Sequence, residues 1–547
     1  MQKPRLRTST PLLLLGISIY LSGCPNLIAQ ATEFQGQTEN GAYYKIALPE
    51  NWQPHDGLVI WNHGYQGYTK TELEPDPSLG PLADIALSQG YAMAASSYSQ
   101  TGWAVFNSHI DNQQLYQKFV ELAGDPGGIF IQGASLGGIV SMRDLEEGLI
   151  PGIDGAFLMC GAVAGATNWD QAFDLRMVYE AVCKEVDGAE LPTDSWSEQP
   201  DPIGGEAQFL NSLERCTGLI SAEFLGAPLA QLLQRPGQSD RMNTILELTD
   251  TDREFLLLDL AYAVFEIPNL VNDKSKLNGL KPFANAGIDY GNADINTTIQ
   301  RSIALPSARQ FFLDNYTPRG SIGDTKVVSI HTSKDGLVKV ENQQTLLQLL
   351  PADQLTTAIV VEAEASHCGF SMDEGAAAWN QLLAWSAGAA QPDAQDIQES
   401  CQAANSDPDQ CRFDVNFQLG DSILSFPREH PSGSPTTSMF HRESGLLLIE
   451  SLAIAGNSTV YDIELVQTQD NGALFTLESV TEISPAASWQ LKPLFFPADS
   501  MLYLPNLRLL PYGEDDALYD VYLEYTDING GDGLRLLEFE LANEARL

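Results

Sequence analysis

The stretch that most constrains this chain is Ile129-Phe130-Ile131-Gln132-Gly133-Ala134-Ser135-Leu136-Gly137-Gly138. An apolar run that reads as a buried strand ends in Gly-x-Ser-x-Gly, and residues 139–145 can continue as a helix. A strand that turns at once into a helix forces its serine into a strained backbone conformation. Any side chain at Gly133 or Gly137 would crowd that turn. The strain lifts the Ser135 hydroxyl out of the sheet to where a substrate can reach it, the arrangement of a nucleophile elbow.

The elbow sits in a regular context. Up to about residue 164 the pattern alternates, with apolar runs at 57–62, 91–95 and 153–159 and helical periodicity at 82–89 and 110–122. Alternating strands and helices predict a mostly parallel sheet with helices on both faces. From about 165 to 323 helices and loops take over, among them 170–186, 252–267 and 307–316. This stretch is too long for a connection and reads as a mainly helical cap inserted after a sheet strand. The sheet resumes at 326–331 and 356–361, and a helix over 374–387 closes the domain. Residues 388–400 read as a linker.

After the linker the signal is strand-rich and repeats. Leu447, Ile449 and Leu452, then Tyr461-Asp462 and Phe475-Thr476-Leu477, recur as Leu502, Leu504 and Leu507, then Tyr519-Asp520 and Phe539-Glu540-Leu541. This predicts a small all-β domain over 401–547, built as a duplicated meander in a sandwich or two stacked sheets. The run 527–533 departs from EF-hand spacing and reads as a glycine-rich hairpin.

A nucleophilic serine needs a base, a carboxylate to orient it and donors for an oxyanion. His367 follows the last apolar strand, on a loop at the carboxyl edge of the sheet. Asp335 follows the strand ending at His331, on another such loop, with Glu364 as the substitute acid. The order Ser135, Asp335, His367 suits an elbow enzyme. Donors are expected from the Leu136 amide and from the loop His63-Gly64-Tyr65-Gln66-Gly67, with Tyr65 preferred over Gln66. His63 reads as ordering its loop, and the remaining histidines receive no role.

Over residues 40–387 the chain resembles the α/β-hydrolase superfamily, through His63-Gly64, Gly133-Ala134-Ser135-Leu136-Gly137, Asp335-Gly336-Leu337-Val338 and His367. The resemblance implies an α/β-hydrolase fold and ester cleavage through an acyl-enzyme, with no cofactor and no metal. A serine peptidase is the nearest alternative. A surface-binding lipoprotein with a non-catalytic hydrolase scaffold is another. In the tannase and feruloyl esterase branch a disulfide joins a cysteine before the serine to one after the histidine. This chain has Cys368 but Ala134 at the other position.

The first residues are basic (Lys3, Arg5, Arg7), then apolar from Leu12 to Leu21, then Leu21-Ser22-Gly23-Cys24. This reads as a secretory signal too short to span a bilayer. Leu-Ser-Gly-Cys resembles the bacterial lipoprotein box, which implies removal of residues 1–23, lipidation of Cys24, a tether over 24–39 and a location in the cell envelope, with membrane contact through the anchor alone. Six further cysteines in an oxidising compartment predict disulfides. Cys401 and Cys411 flank a polar turn, and Cys183 and Cys216 fall in the same inserted region. Six cysteines allow about 15 pairings, and the sequence alone does not choose among them; if those two pairs form, Cys160 and Cys368 remain, and their bridge is expected to brace the histidine loop. No Cys-x-x-Cys or His-x-x-x-His spacing suggests a metal. With 29 Lys and Arg against 72 Asp and Glu, the formal net charge is −43. Such a field repels nucleic acid and anionic lipid surfaces alike, while the hydrolase resemblance implies a small-molecule or polymeric ester as the partner.

Overall fold

The computed structural model describes residues 31–542 apart from 68–71, 221–233, 429–436, 469–472, 486–493, 511–516 and several single or paired positions. Cys24 therefore lies outside the described residues. Eight strands form one sheet: β1 (Thr32–Gln37), β2 (Tyr43–Leu48), β3 (Gly57–Asn62), β4 (Ala92–Ser96), β5 (Gly128–Ala134), β6 (Ile153–Met159), β7 (Lys326–Thr332) and β8 (Leu355–Val360). Their order is β1-β2-β4-β3-β5-β6-β7-β8. The first two strands join antiparallel and the rest run parallel. This is the α/β-hydrolase fold expected from the elbow and its flanking units.

Both faces are covered because the central strands β3, β4, β5 and β6 are apolar on both sides. Along β3, Val59 and Trp61 share a core with Ala86 of α1 (Ala83–Ser88) and with Trp379 and Leu382 of the helix Met372–Ser386. Leu58 and Ile60 face the other way, onto Leu115 and Phe119 of α2 (Ser108–Ala123) and Met142 of α3 (Leu136–Glu147). The period-two alternation of a strand thus divides one apolar run between two cores.

Between β6 and β7 lies the cap, led by α4 (Ala166–Cys183). Its other helices include Gly205–Thr217, Gln238–Thr249, Leu256–Ala261, Ile267–Asn272 and Pro306–Tyr316. One π-helical turn, Tyr262–Glu266, interrupts the run 252–267 that sequence periodicity joins into one helix. The cap core is aromatic, with Phe173, Trp196 and Phe283 in mutual ring contact. The disulfide Cys183–Cys216 ties α4 to the next cap helix. Among the described residues no helix is long and apolar enough to cross a membrane.

The stretch 388–400 is not an open linker. Its second half lies in the helix Ala394–Ala404, which packs on Met372–Ser386 through buried Ile397 and Cys401. Cys401 is bonded to Cys411, and Phe413 pairs with Val360 at the end of β8. Residues 401–413 therefore belong to the hydrolase body, because an amphipathic helix followed by a disulfide turn buries its apolar face against the nearest exposed core.

The remaining strands close on themselves instead of forming a sandwich. They are β9 (Thr437–His441), β10 (Leu446–Ala453), β11 (Thr459–Gln467), β12 (Leu474–Pro485), β13 (Phe495–Phe496), β14 (Met501–Leu510), β15 (Leu518–Ile528) and β16 (Gly531–Leu541). The order β14-β15-β16-β12-β11-β10-β9 returns to β14 through a parallel β9–β14 pairing, which makes a seven-stranded barrel with β13 as a short outlier. Closure removes the unpaired edges that a sandwich of two three-stranded units would leave. The two repeats match in detail. Ser451 in β10 and Asn506 in β14 each have φ near +60° at a register shift. Their amides donate to Asp462 and Asp520, the aspartates of the two Tyr-Asp pairs. The described residues on either side of the glycine-rich turn pair as an antiparallel hairpin, with Ile528 opposite Gly531.

The barrel is seated on the cap. Ile303 and Ala286 of the cap enter the barrel core beside Leu447 and Tyr522. Asp499 accepts hydrogen bonds from Ser302 Oγ at 2.7 Å and the Ile303 amide at 3.1 Å. Arg428, on the segment leading to the barrel, pairs with Asp170 at 3.2 Å and Asp174 at 2.7 Å on α4.

Candidate active site

Ser135 stands between β5 and α3 with φ 56° and ψ −124°, a conformation that L-residues rarely adopt. What holds it there is close backbone packing. A Cβ on Gly133 would lie 2.2 Å from the Gly137 carbonyl oxygen, and one on Gly137 would lie 1.9 Å from that of Asn62. The Ser135 carbonyl accepts from the amides of Gly138 and Ala162, and its own amide donates to Met159. Behind the elbow Asp144 accepts from Asn62 at 2.9 Å and Asn112 at 2.8 Å, which links β3, α2 and α3. Burial pushes the Asp144 carboxyl up to about 7 despite those donors.

The three residues expected to act together do meet. His367 Nε2 lies 2.9 Å from Ser135 Oγ, and His367 Nδ1 lies 2.9 Å from both carboxylate oxygens of Asp335. The loops carrying acid and base are zipped together, since the Gly336 amide donates to the Ser366 carbonyl and the Ser366 amide to that of Lys334. Asp335 also accepts from the amides of Leu337, Val338 and Cys368. Burial alone would raise this carboxyl, but the adjacent His367 and these donors hold it below the usual carboxylate range. Glu364, the substitute acid, lies on the exposed surface.

Several supports of this site are not apparent in the sequence. Buried His331 bonds the Val338 carbonyl at 2.6 Å and Gln343 at 2.9 Å, so it pins the turn that carries Asp335. In sequence it is indistinguishable from a polar residue within a buried strand. The disulfide Cys160–Cys368, by contrast, is the pairing expected from the sequence, and it joins the end of β6 to the residue after His367, with Cα atoms 5.3 Å apart. Both cysteines have positive φ. Arg412 donates to the Gly369 carbonyl at 2.7 Å and pairs with Glu374 at 2.8 Å, so a residue from beyond the closing helix grips the histidine loop.

Tyr65 and Leu136 both border the Ser135 pocket, and the Gly64 backbone passes close enough that an added Cβ would lie 3.4 Å from Ser135 Cβ. As the first residue of α3, Leu136 has an N–H among those without an intrahelical acceptor. His63 stacks on Tyr98 with ring centroids 4.1 Å apart, in keeping with an ordering role. The pocket holds about 670 Å³ of empty space, and the cap supplies most of its wall, including Trp169, Leu175, Asp259 and Tyr262.

Atoms of metal-ligating type on Cys160, Asp335, His367 and Cys368 fall within 4.8 Å of one another. The two sulfurs are joined in a disulfide and offer no thiolate, and Asp335 and His367 are bonded to each other. What remains is one carboxylate and one imidazole already bonded to each other, fewer ligands than a structural metal site takes.

No protein-family model matches the chain, and no curated protein matches it. Solved structures do share features of it. An esterase from Pyrococcus furiosus is 12% identical, with a TM-score of 0.31, over 66% of this chain and 92% of its own. Lipase A of Candida antarctica in its closed state is 12% identical, with a TM-score of 0.32, over 68% of this chain and 86% of its own. Puromycin hydrolase is 12% identical, with a TM-score of 0.33, over 67% of this chain and 41% of its own. The fold is carried by the strand order and the elbow, not by these likenesses: the chain has an α/β-hydrolase fold with a helical cap and a C-terminal seven-stranded barrel.

Proposed function

We propose that this chain is a serine hydrolase that cleaves a carboxylic ester through an acyl-enzyme. The carrying observation is the unbroken hydrogen-bond relay from Ser135 through His367 to Asp335 at the floor of a pocket. His367 Nε2 takes the Ser135 proton as Oγ attacks the carbonyl carbon. The Leu136 and Tyr65 amides receive the oxyanion, and His367 passes the proton to the departing alcohol oxygen. A water then enters, gives its proton to His367 and attacks the acyl carbon. Ser135 takes the proton back as the acid leaves. Asp335 fixes the histidine tautomer and stabilises the imidazolium without becoming protonated itself.

A fluorophosphonate probe should label Ser135, and Ser135→Ala should abolish both labelling and ester turnover. Asp335→Asn should lower turnover by about 10⁴. Labelling at another serine, or full activity without Ser135, defeats the reading. We read the chain further as lipid-anchored at Cys24 in a bacterial cell envelope, on the support of the basic head, the apolar run and Leu-Ser-Gly-Cys. Metabolic labelling with an alkyne fatty acid should disappear in Cys24→Ser.

A further inference from the structure

The cap side of the pocket carries a group that the relay does not use. Asp259 sits on the helix Leu256–Ala261 and borders the same cavity as Ser135. Its carboxyl has no hydrogen-bond donor among the described residues. Lys339, the cation whose charge acts on it, is committed to Asp250 and to the Thr249 carbonyl. Leaving a carboxylate unpaired at an apolar wall is costly, so a structural role does not account for it. Burial raises this carboxyl well above the usual carboxylate range, with only a partial offset from Lys339, so a cation bound beside it would draw it back toward the ionised form.

Around Asp259 the wall is built of rings. Tyr262 lies one helical turn further on, and its ring is 5.0 Å from Tyr65 and 6.4 Å from Trp169. Trp103 extends the wall, 5.3 Å from Trp169. The Tyr65 hydroxyl donates at 2.7 Å to Glu266, a second carboxyl behind the ring, which makes that ring's face more electron-rich. Aromatic faces beside an unpaired carboxyl are the chemistry that receives an alkylated ammonium group. The charge of −43 adds a general field of the same sign.

We propose that this pocket selects esters carrying a cationic amine a few atoms from the scissile carbonyl, with Asp259 as the anionic partner and Tyr65, Trp169 and Tyr262 as the receiving wall. The selection of esters rests on the serine-hydrolase reading, while the binding of the cation does not.

Two matched ester pairs test the selection. A choline ester is compared with the 3,3-dimethylbutyl ester of the same acid. The p-nitrophenyl ester of 4-(trimethylammonio)butanoate is compared with that of 5,5-dimethylhexanoate. In each pair a carbon replaces the charged nitrogen. At least one pair should show kcat/KM about tenfold or more in favour of the cation. That ratio should fall to near one in Asp259→Asn and be partly kept in Asp259→Glu. Binding is tested on the Ser135→Ala chain by titrating tetramethylammonium against tert-butanol at constant ionic strength and reading tryptophan fluorescence. Saturable binding of the cation, weakened about tenfold by adding Asp259→Asn, supports the site. Ester turnover with no preference for the cation in either pair overturns the proposal and leaves the hydrolase reading standing. Cation binding governed by Asp259 in a chain that neither turns over esters nor reacts with a fluorophosphonate leaves the site standing and removes the hydrolase reading. Absence of saturable cation binding overturns the site whatever the turnover.

Discussion

The hydrolase body and the C-terminal barrel both hold non-glycine residues at positive φ, and the two regions use them differently. Among those of the body, Ser135, Cys160 and Cys368 are fixed by glycine contacts, the sheet and a disulfide, and they gather around His367. In the barrel Ser451 and Asn506 are each fixed by one aspartate, and what they gain is a bend in a strand. A strained backbone costs of order 1–3 kcal/mol in either place. In the body alone it stands where separate elements bring a hydroxyl, an imidazole and a carboxylate to one point. The barrel repeats its strain symmetrically, as closure of a duplicated meander requires.

The sharpest way to break this division is to cut the chain. A chain ending at Gly388 loses the helix Ala394–Ala404, Cys411 and the Arg412 grip on the histidine loop, and should lose ester turnover together with cooperative melting. A chain ending near Gly420 keeps all three. It should retain turnover of small esters at reduced melting temperature, because cap residues Ile303 and Ala286 become exposed. If the longer chain melts cooperatively yet is inactive, the barrel takes part in the active site and the division fails.

A smaller effect tests the seam between the regions. Arg428→Ala leaves Asp174 and Asp170 buried with less compensation and should destabilise the protein by about 3–5 kcal/mol in denaturant melts. Turnover of the remaining folded protein should be unchanged. A loss under 1 kcal/mol would show that Arg309, which bonds Asp170 through both of its terminal nitrogens, carries the seam instead.

Asp144 provides a pH test confined to the body. Between about pH 4 and 7 the folded chain keeps a proton on this carboxyl that the unfolded chain releases. Stability should therefore fall as pH rises through that window and level off above it. Asp144→Asn keeps an acceptor for Asn62 and Asn112 and should flatten that part of the curve, a difference of up to roughly 4 kcal/mol. Asp174, also pushed up to about 7 by burial, titrates in the same window and remains in the variant. An unchanged slope would show that Asp144 ionises freely in the fold.

The smallest effect compares the two repeats. Asp462→Ala and Asp520→Ala each remove one acceptor at equivalent bulges and should each cost about 1 kcal/mol. Equal losses support the two bulges as equivalent devices. A loss at one position alone would show that the β9–β14 seam makes the second repeat more dependent on its bulge.

The elbow, the order of the relay and the repeat were legible in the sequence because each is local or periodic. Gly133 and Gly137 announce a turn that only glycine fits. Asp335 and His367 each follow an apolar strand at the edge where loops converge, and Tyr-Asp recurs at matching positions. Tertiary structure alone decided that the meanders close into a barrel, since a strand pattern does not say which edges meet. It also decided that Arg412 reaches Gly369 and that His331 supports Asp335. Asp259 had one faint sign, a single charge within Leu256-Leu257-Leu258-Asp259-Leu260, but that charge fits an exposed helix face equally well. The distinction lies in contacts between residues far apart in the chain, and packing, not periodicity, determines which of them face the same cavity.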